Sequence, residues 1–129
     1  MSLKIGLDLH GVIDSYPMLS QLSYVFVQQG FEVHIITGAP WCERVYKQLA
    51  DADFHKDHNY THFFSILDHC EQNNVPIKWE NDHGFVEDDI WNRTKGEYCD
   101  KVGIDLLIDD SDEYWKHIKG DTLYLQVRN

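Results

Sequence analysis

Short runs of apolar residues alternate with stretches of helical periodicity along this chain. These apolar segments are four to seven residues long, and some of them include a polar residue such as His34 or Asp105. Most end in a small, polar or acidic residue, which is typical of buried strands in a parallel sheet. We predict strands over 5–8, 31–37, 75–79, 104–108 and 122–127. We predict helices from Pro17 to Gly30, after Pro40, over 61–72, from Thr94 to Gly103 and over 111–119. The pattern predicts a Rossmann-like α/β fold in which helices sandwich a five-stranded parallel sheet.

Two local signals refine this arrangement. Pro76 cannot donate a hydrogen bond to a neighbouring strand, which favours an edge position for strand 75–79. Thr94 and Glu97 have the spacing of a capping box, which places Lys95 in the first turn of its helix. Only a few residues separate Asp8 from the helix after Pro17, so we expect no large cap domain there.

Length and charge bound the function. With 129 residues, the chain is expected to form a single domain over 1–129. Its net charge of −11 argues against non-specific nucleic-acid binding. The same field repels a phosphorylated substrate unless a metal ion or a local cation offsets it. No apolar run approaches membrane-spanning length. The three widely spaced cysteines predict reduced thiols and a cytoplasmic protein. A homo-oligomer is left open.

Two polar segments allow two interpretations each. His55, His58 and His62 have spacings that would suit a metal on one helical face, but the surrounding sequence is non-periodic and favours a solvated loop. Residues 81–94 are acidic and irregular, and they are the candidate for a small lid loop. The aromatic residues in that segment, Phe85 and Trp91, either cover a substrate or serve as buried anchors.

Chemistry-bearing residues follow three of the predicted strands. Asp8 and His10 follow the first strand, Thr37 and Gly38 the second, and Asp109-Asp110 the strand over 104–108. Parallel strands connected by right-handed crossovers place these ends at one edge of the sheet. Carboxylates, a hydroxyl and the ammonium group of Lys95 in one cleft suit phosphoryl transfer with Mg²⁺.

Four motifs follow one another along the chain: residues 8–12 (Asp-Leu-His-Gly-Val), Thr37, Lys95 and Asp109-Asp110. In this order they resemble the motifs of the haloacid dehalogenase (HAD) superfamily of phosphohydrolases. The resemblance extends over residues 5–127 and implies a small capless member. It implies Asp8 as nucleophile and magnesium ligand, the His10 carbonyl and Asp110 as further ligands with Asp109 close by, and Thr37, Gly38 and Lys95 as phosphate-binding groups. Lys101 is the rival for the lysine role. The ending Leu-Leu-Ile-Asp-Asp is similar to that of small nucleotidases, which makes a nucleotide one candidate among small phosphorylated substrates.

His10 departs from the family pattern, in which a second aspartate protonates the leaving oxygen and then activates water. Imidazole can perform both proton transfers near neutral pH. The prediction is therefore a Mg²⁺-dependent phosphatase with a histidine acid/base. The alternative is a catalytically impaired relative that binds metal and phosphate in a regulatory role. A response-regulator receiver fits less well, because its acidic pair follows the first strand.

Overall fold

Five parallel strands form the centre of the protein. They are β1 (Lys4–Leu7), β2 (Glu32–Thr37), β3 (His62–Ser65), β6 (Leu106–Asp109) and β7 (Leu123–Gln126), and they lie in the order β3-β2-β1-β6-β7. The structure is a computed structural model that describes residues 2–128, so the two ends of the predicted 1–129 domain lie outside the described residues. Leu7 of β1 pairs with Ile35 of β2 on one side and with Ile108 of β6 on the other. Helices flank the sheet, and the predicted Rossmann-like α/β architecture is confirmed at that level.

The other elements have the following bounds. A separate antiparallel hairpin consists of β4 (Lys78–Glu80) and β5 (His83–Phe85). The helices are α1 (Met18–Gln28), α2 (Glu43–Asp51), α3 (Ile66–Gln72) and α4 (Asp88–Val102). A wide turn at Leu9–Ile13 follows β1, and a single 3₁₀ turn at Tyr114–His117 replaces the helix predicted over 111–119.

The core has two parts because side chains alternate between the faces of the sheet. Ile5 and Leu7 of β1 pack in the larger cluster, together with Leu19 of α1 and Leu49 of α2. Ile36, Cys99, Ile104 and Leu107 form the smaller cluster, on which α4 packs. Among residues 2–128, no helix is long and apolar enough to cross a membrane.

The third strand of the sheet is not where the sequence predicted it. β3 lies at His62–Ser65, within the helix predicted over 61–72, and pairs Phe63 with Ile35 of β2. Only Ile66–Gln72 is helical, and Ser65 caps α3 by accepting from the Asp68 amide at 3.0 Å. Of the strand predicted over 75–79, only residues 78–79 are in a strand, β4, which Pro76 precedes. The predicted place at an edge of the five-stranded sheet is wrong, because β4 belongs to the hairpin.

Helix α4 begins six residues before the predicted capping box, at Asp88. Its first turn carries Asp88 and Asp89, which interact favourably with the helix dipole, and Arg93 pairs with Asp89 one turn later. Thr94 is therefore an interior residue whose hydroxyl donates to the Ile90 carbonyl at 2.5 Å. The irregular structure predicted for 81–94 is wrong, because this segment forms β5 and the first turns of α4.

Candidate active site

A cleft of about 610 Å³ opens at the carboxyl edge of the sheet, where β1, β2 and β6 end. All but one of the residues that the sequence singled out for the site line this cleft; the lining includes Asp8, His10, Thr37, Gly38, Lys95 and Asp110. The exception is Asp109, which lies directly beneath it at 0% exposure. The structure therefore brings the predicted residues together, as expected for the ends of parallel strands.

Lys95 is the centre of the site. It is 1% exposed, and its Nζ lies 2.7 Å from Asp109 Oδ2 and 3.1 Å from Asp8 Oδ1. The start at Asp88 places Lys95 in the interior of α4, on the face that packs on the protein. The next residue, Gly96, lets the Tyr114–His117 turn approach, since a Cβ there would lie 2.5 Å from the His117 carbonyl oxygen. The rival, Lys101, is exposed in the last turn of α4.

Burial and ion pairing shift the pKa values of Asp8 and Lys95 in opposite directions. Burial raises the pKa of Asp8 to about 7; Lys95 counteracts this rise, and Asp109 adds to it by like-charge repulsion. Burial alone would lower the pKa of Lys95, but the two carboxylates outweigh it and raise that pKa above its usual value. Lys95 is therefore a permanent cation, held between two acids.

The turn after β1 fixes the position of Asp8. Asp8 Oδ1 accepts from the Leu9 amide at 2.9 Å, and Gly11 adopts a left-handed conformation with φ of 86°. The Gly11 amide donates to Asp14 Oδ1 at 2.7 Å, which closes the turn. His10 is exposed, and its Nε2 lies 3.1 Å from Gln48 Oε1. The hydrogen bonds from the Leu9 amide and from Lys95 both reach Asp8 Oδ1, so they leave Oδ2 for a ligand.

The three acids form a donor set for a hard cation. Asp8, Asp109 and Asp110 each offer a carboxylate oxygen, and these atoms lie within 4.8 Å of one another. The Asp109 oxygens are both engaged, Oδ2 by Lys95 and Oδ1 by the Ser111 amide at 3.1 Å. Asp110 lines the cleft. Oxygen donors of this kind suit Mg²⁺, and the geometry favours Asp110 over Asp109 as the direct ligand.

The sequence reasoning missed two residues of the cleft, Tyr114 and Arg44, and it named a third, Trp91, as either a cover for a substrate or a buried anchor. The Tyr114 ring lies over Lys95, with Nζ 4.5 Å from its centroid, and is a cation–π partner. Trp91 packs against Gly38 so closely that a Cβ on Gly38 would overlap the indole ring. Arg44 in the first turn of α2 lines the cleft, 3.6 Å from Asp82 at the hairpin. The available signal for Arg44 was its position just after the Thr37-Gly38 strand end.

No family model matches the chain, and neither a curated protein nor a solved structure matches it significantly. Functional interpretation therefore depends on the geometry of the cleft and on the motifs themselves.

Proposed function

We propose that this protein is a Mg²⁺-dependent phosphomonoester hydrolase of the HAD kind, acting through an aspartyl-phosphate on Asp8. The observation that carries the proposal is the buried Lys95 ammonium between Asp8 and Asp109, with Thr37 and Asp110 lining the same cleft. A nucleophilic carboxylate, a fixed cation and a strand-end hydroxyl are the groups that phosphoryl transfer requires.

In the first step, Asp8 Oδ2 attacks phosphorus and forms the new oxygen–phosphorus bond as the ester oxygen–phosphorus bond breaks. The departing oxygen takes a proton from the His10 imidazole. Lys95 fixes the orientation of Asp8 through Oδ1, and Thr37 with the Gly38 amide binds phosphoryl oxygens. A bound Mg²⁺, held by Asp8, the His10 carbonyl and Asp110, would supply neutralisation of the phosphoryl charge.

In the second step, the neutral imidazole of His10 accepts a proton from water, and the water oxygen attacks phosphorus. The bond between phosphorus and Asp8 Oδ2 breaks, which releases inorganic phosphate and restores the carboxylate. Because the Nε2 atom of His10 faces Gln48, the proton transfers fall to Nδ1.

The dimensions and chemistry of the cleft support a small phosphorylated substrate. Its volume lies in the range typical of small-molecule sites. Arg44 supplies a local cation in an acidic chain, and Trp91 offers an aromatic wall on which a nucleobase can stack, which keeps nucleotides among the candidate substrates. All three cysteines, within the part of the chain described, are free thiols, which supports a reducing, cytoplasmic setting.

One observation favours a second candidate, a protein that binds metal and phosphate without turnover. His10 stands where the family has an acidic group, and its ring is held toward Gln48 and not toward a carboxylate. A protonated imidazole beside a divalent cation is electrostatically disfavoured. Such a protein would bind Mg²⁺ and inorganic phosphate but would form no beryllium fluoride adduct on Asp8.

The test is hydrolysis of an aryl phosphate and an alkyl phosphate with Mg²⁺. We expect Asp8→Asn to lower kcat by about 10³-fold or more, whereas the exposed control Asp121→Asn leaves it unchanged. We expect His10→Ala to slow the alkyl ester more than the aryl ester, because the poorer leaving group depends more on protonation. Full activity of Asp8→Asn would refute the mechanism. An inactive wild type that binds Mg²⁺ and phosphate would favour the second candidate.

A further inference from the structure

A second cluster of potential ligand side chains lies at the opposite edge of the sheet from the cleft. Glu32 and His34 are two residues apart on β2, so they face the same side of the sheet. His62 begins β3 and is the register partner of His34. Thr37 at the cleft lies three residues beyond His34 along β2, about 10 Å at 3.3 Å per residue, so the cluster is separate from the candidate active site.

The side chains of this cluster converge. His34 Nε2 lies 2.8 Å from Glu32 Oε1, and His62 Nδ1 lies 3.8 Å from the same oxygen. One ligand atom from each residue falls within 4.8 Å of the others. The His34 side chain is only 3% exposed, whereas Glu32 is 32% and His62 50% exposed, so the cluster has a buried base and an open side. Two imidazoles and one carboxylate are ligands preferred by Zn²⁺ and similar transition-metal ions.

Hydrogen bonding places one proton of the cluster. A carboxylate only accepts, so in the 2.8 Å contact His34 Nε2–H donates to Glu32 Oε1, and this hydrogen bond lowers the pKa of Glu32. Burial lowers the pKa of His34, with the hydrogen bond to Glu32 opposing it. A metal ion requires a neutral imidazole and an ionised carboxylate, so a cation at Nε2 requires that proton to move to Nδ1.

A hydroxyl group can hold the other ring nitrogen of His34. His34 Nδ1 lies 2.7 Å from the Tyr98 hydroxyl, which can accept from Nδ1–H while Nε2 presents its lone pair to a metal. Hydrogen-bonded partners at the distal nitrogen are characteristic of metal-binding histidines. His62 Nδ1, which lies 3.8 Å from Glu32 Oε1, also lies 2.8 Å from Thr61 Oγ1, so this second contact has to open for Nδ1 to bind an ion.

Two changes are needed: the His34 proton moves from Nε2 to Nδ1, and the His62 ring turns. The His34 and His62 rings stack at 4.2 Å with an angle of 5° between their planes. Imidazole lone pairs lie in the ring plane, so a metal in the plane of His34 lies outside the plane of His62. The exposed His62 ring must turn out of the stack to reach the ion, whereas the buried His34 and Glu32 stay in place. This rotation involves one exposed side chain and the hydrogen bond to Thr61.

We propose that Glu32, His34 and His62 form a site for a Zn²⁺-class divalent cation that links β2 to β3. The site is independent of the proposed phosphatase activity. It replaces the set His55, His58 and His62 considered from the sequence: among the described residues, His55 and His58 belong to no converging set of ligand atoms. His58 instead contacts Tyr24, with ring centroids 4.6 Å apart.

The test is a titration of EDTA-stripped full-length protein with Co²⁺, followed by its visible absorption and by competition with Zn²⁺. We expect one tight equivalent in the wild type and binding more than about 100-fold weaker in His62→Ala, because loss of a group that only orients a metal ligand already costs about 10–100-fold. We expect Tyr98→Phe, which keeps the ring, to weaken binding by about 10–100-fold. His58→Ala is the matched control, since it removes an exposed histidine outside the cluster, and should bind as the wild type does.

A second variant distinguishes this site from the acidic cleft. Asp110→Asn should keep the Co²⁺ spectrum, because its carboxylate lies at the other edge of the sheet. His62 is exposed, so His62→Ala is expected to fold, and its unfolding curve in EDTA confirms this. Wild-type binding in His62→Ala, loss of the spectrum in Asp110→Asn, or no tight equivalent in the wild type would each overturn the proposal.

Discussion

Replacement of Lys95 by methionine tests whether the ammonium group is the central electrostatic element of the cleft. Methionine has nearly the same length and keeps the apolar contacts of the side chain, so the main change is the loss of one positive charge. Asp8, 7% exposed, and Asp109, 0% exposed, would then face each other without a cation. Removal of one partner from a buried ion pair is strongly destabilising, because it leaves a buried charge without compensation.

The magnitude follows from the two ion pairs. At an effective dielectric constant of about 20, charges 2.7 and 3.1 Å apart attract each other by about 5–6 kcal/mol per pair. Dehydration of the ammonium group offsets a large part of this attraction, and removal of one partner from a buried pair costs about 3–5 kcal/mol in measured cases. We expect Lys95→Met to lower the free energy of unfolding by about 4 kcal/mol at pH 8 without metal.

The loss should depend on pH with a definite sign. The pKa of Asp8 is raised from 3.8 to about 7 in the folded protein, so the folded state binds more protons than the unfolded state between these values. Stability contributed by Asp8 is therefore present at low pH and is lost as pH rises through about 7. Without Lys95 the pKa of Asp8 rises further. The deficit of Lys95→Met should shrink to less than about 2 kcal/mol near pH 5.

The assay is urea unfolding followed by tryptophan fluorescence in EDTA buffer at pH 5 and pH 8. Lys101→Met is the matched control, since Lys101 is on the same helix but exposed, and we expect it to change stability by less than about 0.5 kcal/mol. A Lys95→Met deficit below about 1 kcal/mol at pH 8, or an equal deficit at both pH values, would contradict the reasoning.

Three further predictions concern the same region and the core. Gly38→Ala should destabilise the protein by about 1–3 kcal/mol in urea unfolding, because the added methyl group overlaps Trp91. Asp8→Asn should raise the free energy of unfolding by about 1–3 kcal/mol at pH 8 in EDTA, because it removes a buried carboxylate charge but keeps a hydrogen-bond acceptor for the Leu9 amide. A thiol reagent at pH 8 should modify only half-buried Cys42 rapidly, because Cys99 is fully buried and its pKa is raised by burial to about 12.

The residues at the strand ends could be predicted from the sequence because each follows a short apolar run. Asp8, Thr37 and Asp109 are the first polar groups after such runs, and parallel topology then brings them to one edge. No distant contact had to be known for this step. Strand-end reasoning alone did not distinguish Asp110 from Asp109 as the direct ligand. The resemblance named Asp110, and in the structure both oxygens of Asp109 are engaged, Oδ2 by Lys95 and Oδ1 by the Ser111 amide.

The errors of the prediction have identifiable physical causes. Residues 62–65 run directly into α3, and Phe63, Phe64 and Leu67 match helical spacing, so periodicity hid the strand. Residues 62–65 form a strand because they pair with β2, a segment that is distant from them in the sequence. The start of α4 was missed because residues 88–93 are acidic and have little apolar periodicity, while the electrostatic benefit of Asp88 and Asp89 at a helix N-terminus leaves a weaker signature.

The candidate active site has an unusual charge balance for a buried group. When ionised, Asp8, Asp109 and Asp110 carry three negative charges, and among the described residues Lys95 is the cation in contact with the first two. The excess of negative charge destabilises the metal-free fold, which is why removal of the Asp8 charge should stabilise it. A divalent cation would cancel that excess, so its binding would relieve the repulsion among the acids and stabilise the folded protein. A cluster kept only for stability would gain from replacing one of these acids with a neutral residue. The cluster of three acids beside one lysine therefore favours the proposed cation-dependent reaction over a structural salt bridge.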